Sequence, residues 1–166
     1  MTNKLTLAVA AAALLGVVSM ALSIFGHKQV HAELVVAASP EQVWSVLTDP
    51  AAYPEWHPVF VAVEGQYADG AELAYKLKDK KGKVSDVKAT VRHFAPAREL
   101  RQFGGIRGVL TFDHRWLLEP ADGGTRVVQH EEYRGIGVWF WDPSWVEDAY
   151  QRAIEGLKAR LEGEPR

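Results

Sequence analysis

The sequence predicts an α+β fold: a curved antiparallel sheet of about seven strands around a long C-terminal helix, preceded by one apolar helix. Three observations support this prediction. An uncharged run covers residues 5–25. Segments of alternating apolar and polar residues, separated by short turns, follow it as far as residue 134. Near the C-terminus, apolar residues then recur at the spacing of one face of an α-helix over residues 146–161.

The apolar run is long enough to cross a membrane, since about 20 residues span a hydrocarbon core of roughly 30 Å. A cleaved signal usually has a shorter apolar core of about 7–15 residues, so the length favours a membrane anchor. The alternative is cleavage after Val30-His31-Ala32, which would secrete the domain but remove the start of a first strand predicted at 32–37. We therefore predict an anchor or signal segment at 1–28 and one domain at 29–166.

The charges that flank the run give its orientation. Lys4 and the amino terminus precede it, whereas His27 and Lys28 follow it. The positive-inside rule then favours a cytoplasmic amino terminus. We expect a single-pass membrane protein with its domain on the extracytoplasmic side, and a secreted domain is the alternative.

The composition excludes several classes of function. Of the 19 basic side chains, Lys4 and Lys28 belong to the anchor segment, which leaves 17 against 21 acidic ones, a net charge of −4. An acidic domain without a basic stripe is not expected to bind nucleic acid. The chain has no cysteine, which excludes disulfides, thiolate nucleophiles and cysteine metal sites.

Short helices are predicted after the first strand. Ser39 is followed by Pro40 and, three residues on, by Gln42, the pattern of a capping box with proline at the first helical position. Asp49-Pro50 ends this helix, because the residue before proline avoids the helical region. A second short helical segment is predicted at 51–56.

The remaining strands are predicted from alternation and turn residues at 59–63, 72–78, 84–94, 99–103, 109–119 and 125–134. Residues 79–82 form a charged hairpin tip in this scheme, and Gly104-Gly105 forms a turn. Short connections between so many strands favour an antiparallel sheet.

The final helix is predicted to start at Asp142 as N-cap with Pro143 as its first residue. Gly163 is the expected stop. Gly156 lies inside the helix, where glycine costs about 1 kcal/mol. We therefore expect the helix to approach the sheet closely at that position.

Three segments together carry a resemblance to a known family. They are residues 38–44 (ASPEQVW), residues 49–58 (DPAAYPEWHP) and the last hairpin, from Gly108 through Glu131. They resemble the START-like, or SRPBCC, superfamily, and most closely its polyketide cyclase/dehydrase and lipid-transport branch. The resemblance implies a helix-grip fold that binds a hydrophobic small molecule or lipid in an internal cavity. It implies no cofactor, and it does not fix an activity.

His114 and Glu131 are the candidate reactive residues. Strand alternation puts both on the inner face, with Gln129 beside them. A histidine next to a buried carboxylate can act as a general base. The alternative is a hydrogen-bonded patch that orients the polar end of a ligand without chemistry, and we favour that alternative.

The predicted ligand-binding residues share the inner face of the sheet, the signature segment or the inner face of the last helix. They are Trp56, Tyr75, Val87, Val91, Phe112, His114, Trp116, Gln129, Glu131, Tyr133, Tyr150 and Ile154.

No metal site is predicted from the other histidines. His27 and His31 are four residues apart but lack a third ligand nearby, so we interpret the spacing as coincidence. His130 is expected on the surface. His57 is expected near the end of the cavity or simply in a loop.

Aromatic residues cluster just before the last helix, at 138–141 and at Trp145. They either plug the core or form a mouth through which an apolar ligand enters, for example at a bilayer. Three functions follow: a membrane-tethered binding domain, a cyclase or dehydratase that uses His114 and Glu131, and a domain with a packed interior that works by contacting partners. We favour the first.

Overall fold

The computed structural model describes residues 2–163, which form helices at both ends and a sheet between them. The helices are α1 (Thr2–Phe25), α2 (Pro40–Leu47), α3 (Tyr53–Trp56) and α4 (Ser144–Glu162), with 3-10 turns at Pro50–Ala52 and Ile136–Phe140. The strands are β1 (His27–Val36), β2 (Phe60–Glu64), β3 (Glu72–Lys78), β4 (Val84–Ala95), β5 (Glu99–Ile106), β6 (Leu110–Ala121) and β7 (Gly124–Arg134).

The strands form one antiparallel sheet in the order β1-β7-β6-β5-β4-β3-β2. The sheet curls into a half barrel, and α4 packs along it against β1 and β7 while contacting α2 and α3. This architecture confirms the predicted α+β helix-grip fold. Helix α1 carries the longest apolar stretch, Asn3–Phe25, and the most apolar window of this stretch is not buried inside the domain.

The first strand begins earlier than predicted. We expected it at 32–37, but β1 starts at His27, immediately after Gly26, and pairs with β7 from His27 opposite Arg134 to Val36 opposite Thr125. His27 and His31 are therefore in a strand. The error arose because the outward-facing residues of β1 are polar and look like a linker, while the inward Val30 and Ala32 are buried.

The predicted turn at Gly104-Gly105 is wrong, since both residues belong to β5 and the chain reverses at 107–109. Close packing explains these glycines. A Cβ on Gly104 would lie 2.3 Å from the Phe112 ring, and one on Gly105 would lie 2.3 Å from the carbonyl oxygen of Leu110. No side chain fits in either place.

Helix α2 has the predicted capping box: the amide of Ser39 donates to Gln42 Oε1 at 2.8 Å, and the amide of Gln42 donates to Ser39 Oγ at 3.3 Å. Helix α4 starts at Ser144, one residue later than predicted, with Pro143 as N-cap. Asp142 still accepts hydrogen bonds from the Ser144 amide and hydroxyl. Gly163 ends α4 in the left-handed conformation, with φ at 70°.

Gly156 does allow a close approach, but to α3 rather than to the sheet. A Cβ there would lie 2.2 Å from the carbonyl oxygen of Trp56. The glycine therefore lets α4 hold the short helix α3 against the rest of the core.

Candidate functional site

A cavity of about 410 Å³ lies between α4 and the end of the sheet that carries the β3–β4 and β5–β6 hairpins. Most of its wall is aliphatic and aromatic. The lining residues are His57, Val59, Phe60, Leu77, Asp86, Val87, Lys88, Gly105, Leu110, Phe112, Glu131, Tyr133, Trp141, Trp145, Val146, Ala149 and Tyr150.

Glu131 is the buried acidic group of the wall, whereas Asp86 is exposed at its edge. It points inward from β7, and its Oε2 accepts hydrogen bonds from the hydroxyls of Tyr133 on the same strand and Tyr150 on α4. Burial raises the pKa of the carboxyl to about 7, although the two hydroxyl donors oppose that shift. Near neutral pH this carboxyl can therefore exchange a proton inside the cavity.

His57 is a second polar group in the wall. It follows α3, and its Nδ1 accepts the backbone amides of Val59 at 3.2 Å and Phe60 at 2.9 Å. The ring hydrogen is therefore on Nε2. Burial lowers the pKa of His57 to about 3, so the ring is neutral. Its buried Nε2 has no hydrogen-bond partner among the described residues, which leaves one donor unused beside the cavity.

His114 lies opposite Glu131 in the β6–β7 register, so both are on the inner face. Its Nε2 lies 3.0 Å from Gln129 Nε2, and its ring packs edge-on against Trp116 and Tyr150. Burial lowers its pKa to about 3. His114 and Glu131 thus have different hydrogen-bond partners, and His114 is packed behind the wall rather than in it.

The predicted ligand-binding residues divide into two groups. Val87, Phe112, Glu131, Tyr133 and Tyr150 line the cavity.

The others are buried outside its wall: Trp56, Tyr75, Val91, His114, Trp116, Gln129 and Ile154. Among them, Tyr75 accepts a hydrogen bond from the Gln102 amide, and the Trp56 and Trp116 rings are 6.5 Å apart. Alternation predicts which side chains face inward, but not which end of the interior stays open.

The aromatic cluster before α4 separates into three environments. Val138 is buried in the core. Trp141 packs on Tyr133, with ring centroids 4.5 Å apart, and together with Trp145 it lines the cavity. Trp139 and Phe140 are 53% and 83% exposed. The cluster therefore divides into a core residue, two cavity-lining residues and two exposed residues.

The remaining histidines lie on the outer face and pair with acids. His27 and His130 both approach Glu132, and His31 lies 3.1 Å from Glu33. Among the described residues, no group of three or more histidine and acidic side chains is placed to hold a metal ion. His130, expected on the surface, is half-buried on this outer face.

Comparison with known proteins gives a family match. The profile of the family described as polyketide cyclase / dehydrase and lipid transport matches residues 27–162. No curated protein matches the chain.

Solved structures share the fold. A protein from Rhodobacter sphaeroides superposes with a TM-score of 0.69 at 19% identity, covering 82% of this chain and 93% of that one. Two di-domain aromatase/cyclases are also similar: BexL of BE-7585A biosynthesis (TM-score 0.71, 13% identity, 89% of this chain) and StfQ of steffimycin biosynthesis (TM-score 0.68, 10% identity, 82% of this chain). This chain spans about half of each cyclase, 54% and 52%.

Proposed function

Because the chain belongs to the polyketide cyclase / dehydrase and lipid transport family, we propose that its cavity binds one hydrophobic small molecule or lipid. Helix α1 tethers this binding domain to a membrane. The family is associated with hydrophobic ligands, and the cavity provides the physical basis for the same role here.

The apolar cavity is the observation that carries the proposal. Its volume of about 410 Å³ falls in the range of roughly 300–1,000 Å³ typical of small-molecule sites. Burial of apolar ligand surface there would contribute roughly 25 cal/mol per Å². A domain with a fully packed interior would not leave such a space beneath α4.

Two buried polar groups in the wall would orient the ligand. The Nε2–H of His57 is buried without a partner, which costs about 1–3 kcal/mol, so a ligand oxygen that reaches this donor from the cavity would be favoured. The carboxyl of Glu131, which accepts hydrogen bonds from Tyr133 and Tyr150, is the second polar group that a ligand could contact. The best-fitting occupant is therefore an apolar molecule with an oxygen function at one end.

The tether is supported by length, hydropathy and strand pairing. The 23-residue apolar helix is long enough to span a bilayer. Cleavage after Ala32 would remove six of the ten residues of β1, all paired with β7. Retention of α1 keeps the edge of the sheet intact, so the anchor is preferred to a cleaved signal.

A cyclase- or dehydratase-like enzyme is the second candidate. The observation in its favour is the pKa of Glu131, raised to about 7 inside the cavity, because a general acid or base works best with a pKa near the working pH. His114 has its own partner and is packed behind the wall, so proton transfer would depend on Glu131 rather than on a His114–Glu131 pair.

Titration of the full-length protein in detergent with a fluorescent fatty acid tests the binding proposal. Ala149 on α4 is buried in the cavity wall, so Ala149→Trp should fill the space and weaken binding at least tenfold. Gln151→Trp adds the same ring on the exposed side of α4 and should leave binding unchanged. Equal affinities for both variants, with folding confirmed by circular dichroism, would contradict a ligand in this cavity.

Glu131→Gln separates the binding protein from the enzyme. In a binding protein the change should shift ligand affinity by an amount equivalent to roughly 1–3 kcal/mol. In an enzyme it should lower turnover by about 10²–10⁴-fold and leave affinity nearly unchanged. We expect the first pattern.

A further inference from the structure

Four exposed apolar side chains surround the point where α1 meets the domain. They are Ile106 and Val109 on the β5–β6 hairpin and Trp139 and Phe140 in the 3-10 turn before α4, and they are between 51% and 83% exposed. We call these four residues the apolar rim. Exposed apolar patches of this kind usually mark contact with another protein or with a membrane.

Hydrogen bonds fix the rim to the end of α1. Trp139 Nε1 donates to the carbonyl oxygen of Leu22 at 2.9 Å, and Ser23 Oγ donates to the carbonyl oxygen of Gly108 at 2.8 Å. Leu22 and Ser23 lie in the last turn of the apolar helix. At 1.5 Å per residue, residues 5–25 extend about 30 Å, the thickness of the hydrocarbon core, so in a protein anchored by α1 both bonds would lie near the membrane–water boundary.

The joint between α1 and the domain leaves no flexible linker. Gly26 alone separates α1 from β1. The amide of Gly135 donates to the Gly26 carbonyl oxygen at 3.0 Å, and a Cβ on Gly26 would lie 2.1 Å from the Gly135 carbonyl oxygen. Since the backbones are in contact, a domain anchored by α1 cannot stand away from the bilayer.

The rim also borders the cavity. Gly105, Leu110 and Trp141 line the cavity. Each is the direct sequence neighbour of a rim residue: Ile106, Val109 and Phe140, respectively. The edge of the cavity and the rim are therefore parts of the same two segments of chain.

We propose that the apolar rim inserts into the surface of the bilayer that holds α1, so that the cavity opens toward lipid. A bilayer suits the rim better than a soluble partner, because its position at the end of α1 places it at the level of the headgroups. The indole of Trp139 is typical of that level, and the exposed Arg107 beside Ile106 can keep its charge in the headgroup layer while its stem lies along apolar surface. Insertion of the rim into the bilayer rests on the proposed membrane anchor. Entry of a ligand from the bilayer into the cavity rests in addition on the proposed binding function.

Single-cysteine labelling of the full-length chain in lipid nanodiscs tests the docking, since the natural sequence has no cysteine. A fluorescent label is placed at Ile106→Cys and Phe140→Cys in the rim, at Leu14→Cys in the middle of α1, and at Val35→Cys as control. Val35 is also apolar and 40% exposed, but it lies eight residues along β1 from His27, about 26 Å away at roughly 3.3 Å per residue.

Nitroxide-labelled lipids should quench the labels at 14, 106 and 140 several-fold more strongly than the label at 35. If position 14 is quenched while 106 and 140 behave like 35, the docking is overturned and the anchor stands. If position 14 is not quenched by lipids with nitroxides deep in the acyl chain, the anchor fails and the docking fails with it. None of these readings depends on ligand binding.

Discussion

The hydroxyl of Tyr150 on α4 donates to the carboxylate of Glu131 on β7, so the C-terminal helix and the sheet meet at a polar point of an apolar cavity. Tyr133 donates to the same oxygen. Burial nevertheless raises the pKa of Glu131 from 4.5 to about 7. The arrangement holds α4 in place and gives the cavity a group that titrates near neutrality.

Glu131→Gln should increase stability at alkaline pH. Between pH 4.5 and about 7 the unfolded chain releases a proton that folded Glu131 retains, so the wild-type free energy of unfolding falls as pH rises through this range. An amide at this position still accepts both hydroxyls and does not ionise. At pH 8 the variant should be more stable than wild type by about 1–3 kcal/mol, and at pH 4 nearly equal, by urea unfolding.

Glu132→Gln is the matched control, because Glu132 is the next residue but faces outward. The hydrogen bond from Arg134 holds its pKa below the usual range, so its contribution has the opposite sign. This variant should not gain stability at pH 8. Equal behaviour of the two variants would refute the assignment of the titration to Glu131.

The buried histidines should make the domain sensitive to acid. Burial lowers the pKa values of His57 and His114 from 6.5 to about 3. Below pH 6.5 these histidines bind protons in the unfolded chain but stay neutral in the folded domain. Each histidine therefore lowers the free energy of unfolding as pH falls from 6.5 toward 3, by up to about 1.4 kcal/mol per pH unit.

Imidazole nitrogen chemical shifts check this directly. At pH 5 both rings should still give the spectra of neutral histidine, and His57 should carry its hydrogen on Nε2. A charged His57 or His114 at pH 5 would show that the ring is not buried as described.

Gly156→Ala should destabilise the domain although alanine favours a helix by about 1 kcal/mol. The new Cβ would lie 2.2 Å from the Trp56 carbonyl oxygen, which is backbone and cannot swing away. We expect a net loss of about 1–3 kcal/mol in chemical unfolding. Gln151→Ala on the exposed side of the same helix should change stability little, and a more stable Gly156→Ala would contradict the close approach of α4 to α3.

The protein isolated from membranes should retain α1. Cleavage after Ala32 would leave only the last four residues of β1 to pair with β7, so the cleaved domain would lose much of an edge strand. Intact-mass measurement of the membrane fraction should give the uncleaved chain. A mature protein that starts at Glu33 would establish a secreted form instead.

Residue patterns predict the fold well because each element carries its own signal. The capping box at Ser39 and Gln42, the alternation along β3 to β7 and the apolar face of α4 all agree with the structure. Gly104 and Gly105 were misplaced because glycine marks both turns and close packing, and only tertiary neighbours, the Phe112 ring and the Leu110 carbonyl oxygen, distinguish the two cases.

The open part of the interior was predicted less well. Alternation put His114, Trp116 and Glu131 on the inner face correctly. Whether an inward side chain lines the cavity or is packed behind its wall depends on how the large side chains fill the half barrel. His57 was expected either near the end of the cavity or in a loop, because nothing in the chain shows whether its ring turns inward after α3, and the structure places it in the wall. The signature segment around Trp56 was the available signal.

Native mass spectrometry of full-length protein purified from its own host tests the central claim most directly. We predict that the wild type carries one apolar molecule able to fit within about 410 Å³ and that Ala149→Trp, purified in parallel, does not. Gln151→Trp should retain the molecule, which separates cavity binding from lipid that adheres to α1. A wild-type protein that carries no more bound mass than Ala149→Trp would contradict the account.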